Sequence, residues 1–103
     1  YVIHTVGPIW NGGAHGEADL LAACYENSLR LAQKTGLKTI AFPAISTGIY
    51  RYPLEEASQI ALATVQAFVK ANPGAFELIK FVLFDQAALD CYYRKLGGLQ
   101  VEL

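Results

Sequence analysis

One serine, one threonine, one glycine, two tyrosines and an arginine crowd into residues 44–53, AISTGIYRYP. The stretch follows an apolar run and precedes a helix-like pattern. Ser46, Thr47 and Gly48 favour a sharp turn, with Gly48 tolerant of positive φ. Successive amide hydrogens in such a turn form a concavity that holds anions. A helix beginning at Pro53 adds the positive end of its dipole. The hydroxyls of Ser46 and Thr47 supply further donors, and Ile49 and Tyr50 give an apolar wall. Two readings follow: a phosphate-binding loop, or an ordinary strand-to-helix turn.

Other chemistry finds less support. Ser46 lacks the G-x-S-x-G setting of a nucleophile elbow. Neither His4, in a predicted strand, nor His15, in a loop, has a fixed relation to it, so a serine hydrolase is disfavoured and His4 reads as a core histidine. Two histidines and two scattered cysteines do not have metal-site spacing. No catalytic residue, metal or cofactor is therefore assigned. Gly12, Gly13 and Gly16 lie between a strand and a helix, but their spacing is G-G-x-x-G, not G-x-G-x-x-G. They read as a flexible turn. Phe84, at the end of a predicted strand, is where an aromatic ring could stack on a sugar or base.

The elements that must position these residues alternate. YVIHTV (1–6) is β-rich and predicts a strand. A helix is predicted from Glu17 to Lys34, with Leu21, Tyr25, Leu29 and Ala32 on one apolar face and Gly36 as its stop. LKTIAFPAI reads as a strand buried on both faces, with Pro43 near its end. The next helix starts at Pro53 and buries Ala57, Ile60, Ala61, Thr64, Val65 and Phe68. ELIKFVLF is the last predicted strand. Asp85 caps the helix after it, Leu89, Tyr92, Tyr93 and Leu96 form that helix's apolar stripe, and Gly97-Gly98 ends it. This β-α-β-α-β-α order predicts an α/β fold with a mainly parallel sheet. Ligands in such sheets bind beyond the carboxyl ends of the strands, where Ser46 and Phe84 both fall.

The bulk numbers set limits. A chain of 103 residues suits one domain. A hydrophobic fraction of 53% argues against disorder. Net charge of −1 argues against general nucleic-acid binding or an anionic membrane partner. No apolar run approaches the ~20 residues of a membrane span. Cys24 and Cys91 read as small buried hydrophobes in a reducing compartment, and a cytoplasmic location is expected. The sequence has no methionine and opens at Tyr1 inside an apolar run, so a piece of a longer protein is expected.

The segments YVIHTVGPIW, GE, L..CY..SL.LA, TIAFPAISTGIYRYP and FVLFD together resemble the second half of a macro domain. The resemblance runs from Tyr1 to about Leu96. It implies a partial three-layer α/β/α sandwich whose ligand is ADP-ribose or an ADP-ribosylated molecule. The family includes ADP-ribosyl hydrolases and O-acetyl-ADP-ribose deacetylases. By resemblance, Ser46, Thr47, Gly48, Ile49 and Tyr50 wrap the diphosphate through backbone amides, and Phe84 lines the ribose or adenine region. Arg51 stands where the family usually has glycine.

A full macro domain begins with strands carrying a GDIT-like segment, whose aspartate reads the adenine. An NAAN segment and a glycine-rich loop follow, with the acid and histidine of many hydrolytic members just after. None of these is in residues 1–103, so the expectation is a single truncated domain. The alternative function is a non-enzymatic, self-associating module with weak or lost nucleotide binding. Either way a homo-oligomer is expected, because a lone three-stranded unit leaves an apolar edge open.

Overall fold

The computed structural model describes residues 1–96 and the backbone of 100–102. Its elements in chain order are α1 (Glu17–Lys34), β1 (Thr39–Phe42), α2 (Leu54–Ala71), β2 (Leu78–Val82), α3 (Gln86–Lys95) and β3 (Gln100–Glu102). The strands form one sheet in the order β1-β2-β3, and both pairings are parallel. Helices α2 and α3 are the crossovers. The expected α/β class with a parallel sheet is present.

Each helix has a local cause. Glu17 and Asp19 sit in the first turn of α1 and Lys34 in the last, both matching the helix dipole. Gly36, at φ 82°, ends α1. Its amide donates to the Gln33 carbonyl, and the Leu37 amide donates to that of Ala32, the paired bonds of a Schellman motif. Pro53 stands just outside α2 with φ −57° and ψ 131°, one residue earlier than its expected helical position. Asp85 caps α3 as expected, accepting from the Ala88 amide at 2.9 Å.

The core lies between one helical layer and one face of the sheet. Phe42 and Phe81 are paired in register and project to the same face. Tyr25 of α1 meets Phe42 at 5.0 Å between ring centroids, and Tyr92 of α3 meets Phe81 at 5.2 Å. Tyr25, Phe81 and Tyr92 are almost wholly buried, and α2 packs against both α1 and α3. The described part of the sandwich is thus a sheet with helices on one side.

Five expectations are corrected, one of them on α3, where Tyr93 of the expected stripe is 59% exposed and Ala88 and Cys91 are buried beside Tyr92. Residues 1–6 form no strand, with Val2 and Val6 79% and 81% exposed. Strand propensity needs a ladder partner to act, and no described segment pairs with these residues. A short strand instead closes the sheet at β3, giving the order α-β-α-β-α-β. Strand β1 is not buried on both faces: Thr39 and Ala41 are exposed because no described layer covers them. His4 is exposed, not a core histidine, since the segment carrying it is not in the core. On α2, Ser58 and Leu62 are buried where Ile60 and Thr64 were expected, and those two are half-buried. Cys24 and Cys91 are free and buried, as read. The expected stop at Gly97-Gly98 lies outside the described residues.

Candidate functional site

Strands β1 and β2 end side by side at Phe42 and Val82. Beyond them a cavity of about 480 Å³ opens between loop 43–53 and the turn into α3. Thr47 and Gly48 line it from one side, Phe84 and Asp85 from the other, and Leu54 from the start of α2. Phe84 is 99% exposed, which is not where a core-forming ring would be.

The loop is anchored where it leaves β1. The Tyr25 hydroxyl donates to the Pro43 carbonyl at 3.4 Å and accepts from the Ile45 amide at 3.3 Å. The chain then turns tightly. The Thr47 hydroxyl donates to the Ala44 carbonyl at 2.9 Å, the Arg51 amide to that of Gly48 at 3.0 Å, and the Tyr52 amide to that of Ser46 at 2.9 Å. Among the described residues, the amides of Gly48, Ile49 and Tyr50 meet no acceptor. Three unpaired donors in succession are what an anion needs. The α2 N-terminus has no side-chain cap and is open, whereas the carboxylate of Asp85 closes that of α3.

The turn is not made by glycine. Gly48 does not adopt positive φ; Ser46 (68°) and Arg51 (63°) do. The left-handed positions are the two ends of the hydrogen-bonded turn, not its middle. Ser46 is also less available than expected. Its Oγ is buried without a partner and packs where a Cβ on Gly7 would collide with it. Of the sequence-predicted residues, Thr47, Gly48 and Phe84 share the cavity, while Ser46, Ile49 and Tyr50 lie outside its lining. Ile49 is 90% exposed.

A second layer stands behind the loop, and sequence reasoning missed it. The Trp10 amide donates to the Tyr50 carbonyl at 2.8 Å, and the Trp10 indole lies 4.7 Å from the Tyr52 ring. Glu17 is 2% exposed. Its Oε2 accepts from the amides of Asn11 (2.8 Å) and Gly13 (3.0 Å), and its Oε1 from that of His15 (2.7 Å). Burial pushes this carboxyl up, but the backbone hydrogen bonds outweigh it and hold the pKa at about 2. The Tyr52 hydroxyl is pushed up, by burial first and then by the carboxylates of Glu17 and Glu56. The signal available in the sequence was an acid directly after three glycines within five residues.

Among the described residues, no three His, Cys, Asp or Glu side chains gather as a metal site, and no helix is long and apolar enough to cross a membrane. Asp85, the acid at the cavity, is engaged as a cap.

Comparison with known proteins adds to this geometry. The family model described as Macro domain matches residues 1–61. A macro domain-containing protein of Chlorobaculum tepidum is 53% identical over 98 residues, covering 95% of this chain and 56% of that protein. An O-acetyl-ADP-ribose deacetylase of Klebsiella pneumoniae is 53% identical over 98 residues, covering 94% of this chain and 55% of that enzyme. The crystal structure of a Trypanosoma brucei macrodomain in complex with ADP-ribose superposes with a TM-score of 0.83 at 37% identity, over 91% of this chain and 38% of that one. The chain spans about half the length of the curated relatives it matches.

Proposed function

This chain belongs to the macro domain family, and on that premise we propose that it binds ADP-ribose, free or attached to another molecule, in the cavity beyond β1 and β2. The diphosphate lies along the amides of Gly48, Ile49 and Tyr50, beside Thr47 and the open N-terminus of α2. Ser46 shapes the turn from beneath. Phe84 packs against the ribose or adenine. The observation that carries this reading is a run of unpaired loop amides starting at Gly48, a residue that shares one cavity with the exposed ring of Phe84. A relative crystallised with ADP-ribose and another named for O-acetyl-ADP-ribose support the same ligand class.

Residues 1–103 act as one binding unit, without turnover of their own. The described cavity carries no histidine, and its acid is already a cap. General acid–base chemistry needs a group within hydrogen-bond reach of the reacting proton. The protein works in the cytoplasm and uses no metal or cofactor. Self-association through the outer edge of β1 is proposed alongside binding. That edge has no ladder partner among the described residues, and Val2 and Val6 stand exposed.

Titration calorimetry with ADP-ribose, ADP and adenosine tests the reading. ADP-ribose and ADP should bind at least about tenfold more tightly than adenosine, a difference of ~1.4 kcal/mol. Equal affinity for adenosine would remove the phosphate loop from the argument.

A further inference from the structure

We infer that Glu17 is a positioning residue for the ligand loop: its buried carboxylate fixes the 11–16 turn, and the turn holds Trp10 against the rear of residues 50–52. The inference rests on the proposed ADP-ribose site and names what keeps that site in shape.

A carboxylate taken out of water must be fully hydrogen-bonded or it is costly. Glu17 meets this with three backbone amides from one turn, at 2.7, 2.8 and 3.0 Å. Charge-assisted bonds of this kind are stronger than neutral ones. The turn needs such a clamp. Gly12, Gly13 and Gly16 adopt φ of 88°, 89° and 77°, and a glycine-rich segment is loose unless tied down. Once tied, it presses on the indole: a Cβ on Gly13 would stand 2.7 Å from the Trp10 ring. Trp10 then holds the Tyr50 carbonyl with its amide and the Tyr52 ring with its indole. Tyr52 in turn donates its amide to Ser46. From Glu17 to Ser46 every link is a hydrogen bond or a close packing contact. Helix α1 does not depend on this chain of contacts, because Leu21, Tyr25 and Leu29 hold it in the core.

The parent chain, Glu17→Gln, Trp10→Phe and the double variant are compared by amide hydrogen exchange without ligand and by ADP-ribose affinity. Glu17→Gln should speed exchange at the hydrogen-bonded amides within residues 46–52, those of Thr47, Arg51 and Tyr52, while leaving the buried centre of α1 protected. It should weaken ADP-ribose binding by roughly 2- to 30-fold, the span of side-chain changes that act through others. The double variant should bind no worse than the poorer single variant, because both break one chain of contacts. Trp10 is the sole tryptophan, so its emission should shift to longer wavelength in Glu17→Gln. Unchanged exchange at 46–52, additive losses, or general loosening of α1 would overturn the inference. If Glu17→Gln does not fold, Gly13→Ala disturbs the same turn from the Trp10 side and must give the same local pattern. If the parent fails to bind ADP-ribose, the proposed function falls, while exchange and emission still decide the brace.

Discussion

Arg51 is the residue whose replacement should make this protein more stable. Its φ of 63° lies in the left-handed region. A side chain with a Cβ costs about 1–2 kcal/mol there. Glycine removes that cost but is more flexible when unfolded, which takes back ~0.5–1 kcal/mol. Nothing else is lost. The Arg51 side chain is exposed and makes no hydrogen bond or ion pair among the described residues, and its amide bond to the Gly48 carbonyl at 3.0 Å is kept by any residue but proline. Arg51→Gly should therefore stabilise by about 0.5–1 kcal/mol, which for a domain of this size raises Tm by roughly 2–8 °C. Arg51→Ala is the control, since it removes the charge and keeps the Cβ; it should give no gain. Calorimetric melting at one protein concentration reads both. Equal melting points for the two variants would show that the loop is not strained at Arg51. The same pair separates the charge from the strain in binding, because only a cation near phosphate would make Arg51→Ala bind ADP-ribose more weakly than the parent.

Phe84→Ala should leave stability within about 0.5 kcal/mol, because the ring is exposed, yet weaken ADP-ribose binding by ~1–3 kcal/mol if the ring stacks on the nucleoside; calorimetry and melting on one sample decide. Tyr25→Phe strips the bridge between the Pro43 carbonyl and the Ile45 amide and should cost about 0.5–1.5 kcal/mol, read as a lower urea midpoint with unchanged slope. Glu17 has a folded pKa of about 2 against an ordinary 4.5. Its contribution is complete above pH 4.5 and is lost as pH falls toward 2, so Glu17→Gln should flatten the stability profile across that window. Light scattering over a hundredfold dilution should find an oligomer that dissociates; a monomer with a constant melting point throughout would refute pairing at the β1 edge.

The three helices were legible because their burial is periodic and their ends carry local signals. Leu21, Tyr25, Leu29 and Ala32 are buried as the spacing predicts, and Asp85 is the cap it resembles. What failed was whatever depends on a neighbour. YVIHTV has strand composition, but a strand exists only in a ladder. The same holds for TIAF, whose outward residues stay exposed where no second layer meets them. In the site, the residue types pointed to the loop and to Phe84, yet the backbone roles were misplaced: Gly48 was assigned the positive φ that Ser46 and Arg51 carry. Hydrogen bonding across the turn decides that, and a string of letters does not show which carbonyl closes it. The roles of Trp10 and Glu17 were missed for the same reason, since the Glu17 carboxylate acts on main-chain amides of the 11–16 turn and Trp10 on the Tyr50 carbonyl and the Tyr52 ring, partners that the order of residues does not show.

The proposed site, built from main-chain donors, has a further consequence. Its recognition does not require particular side chains at 48–50, only that three amides point one way. Left-handed φ at both ends of the turn and free donors between them would relax in a loop standing alone. Here the loop is held from three directions: by the Tyr25 hydroxyl where it leaves β1, by the Trp10 amide at Tyr50, and by Gly7 packed against Ser46. Strain is affordable only where such contacts over-determine the backbone. That makes the order of sensitivity a property of the frame. Substitutions at exposed Ile49 should perturb the loop little, whereas changes at buried Tyr25 and Glu17, which line no part of the cavity, should perturb it most.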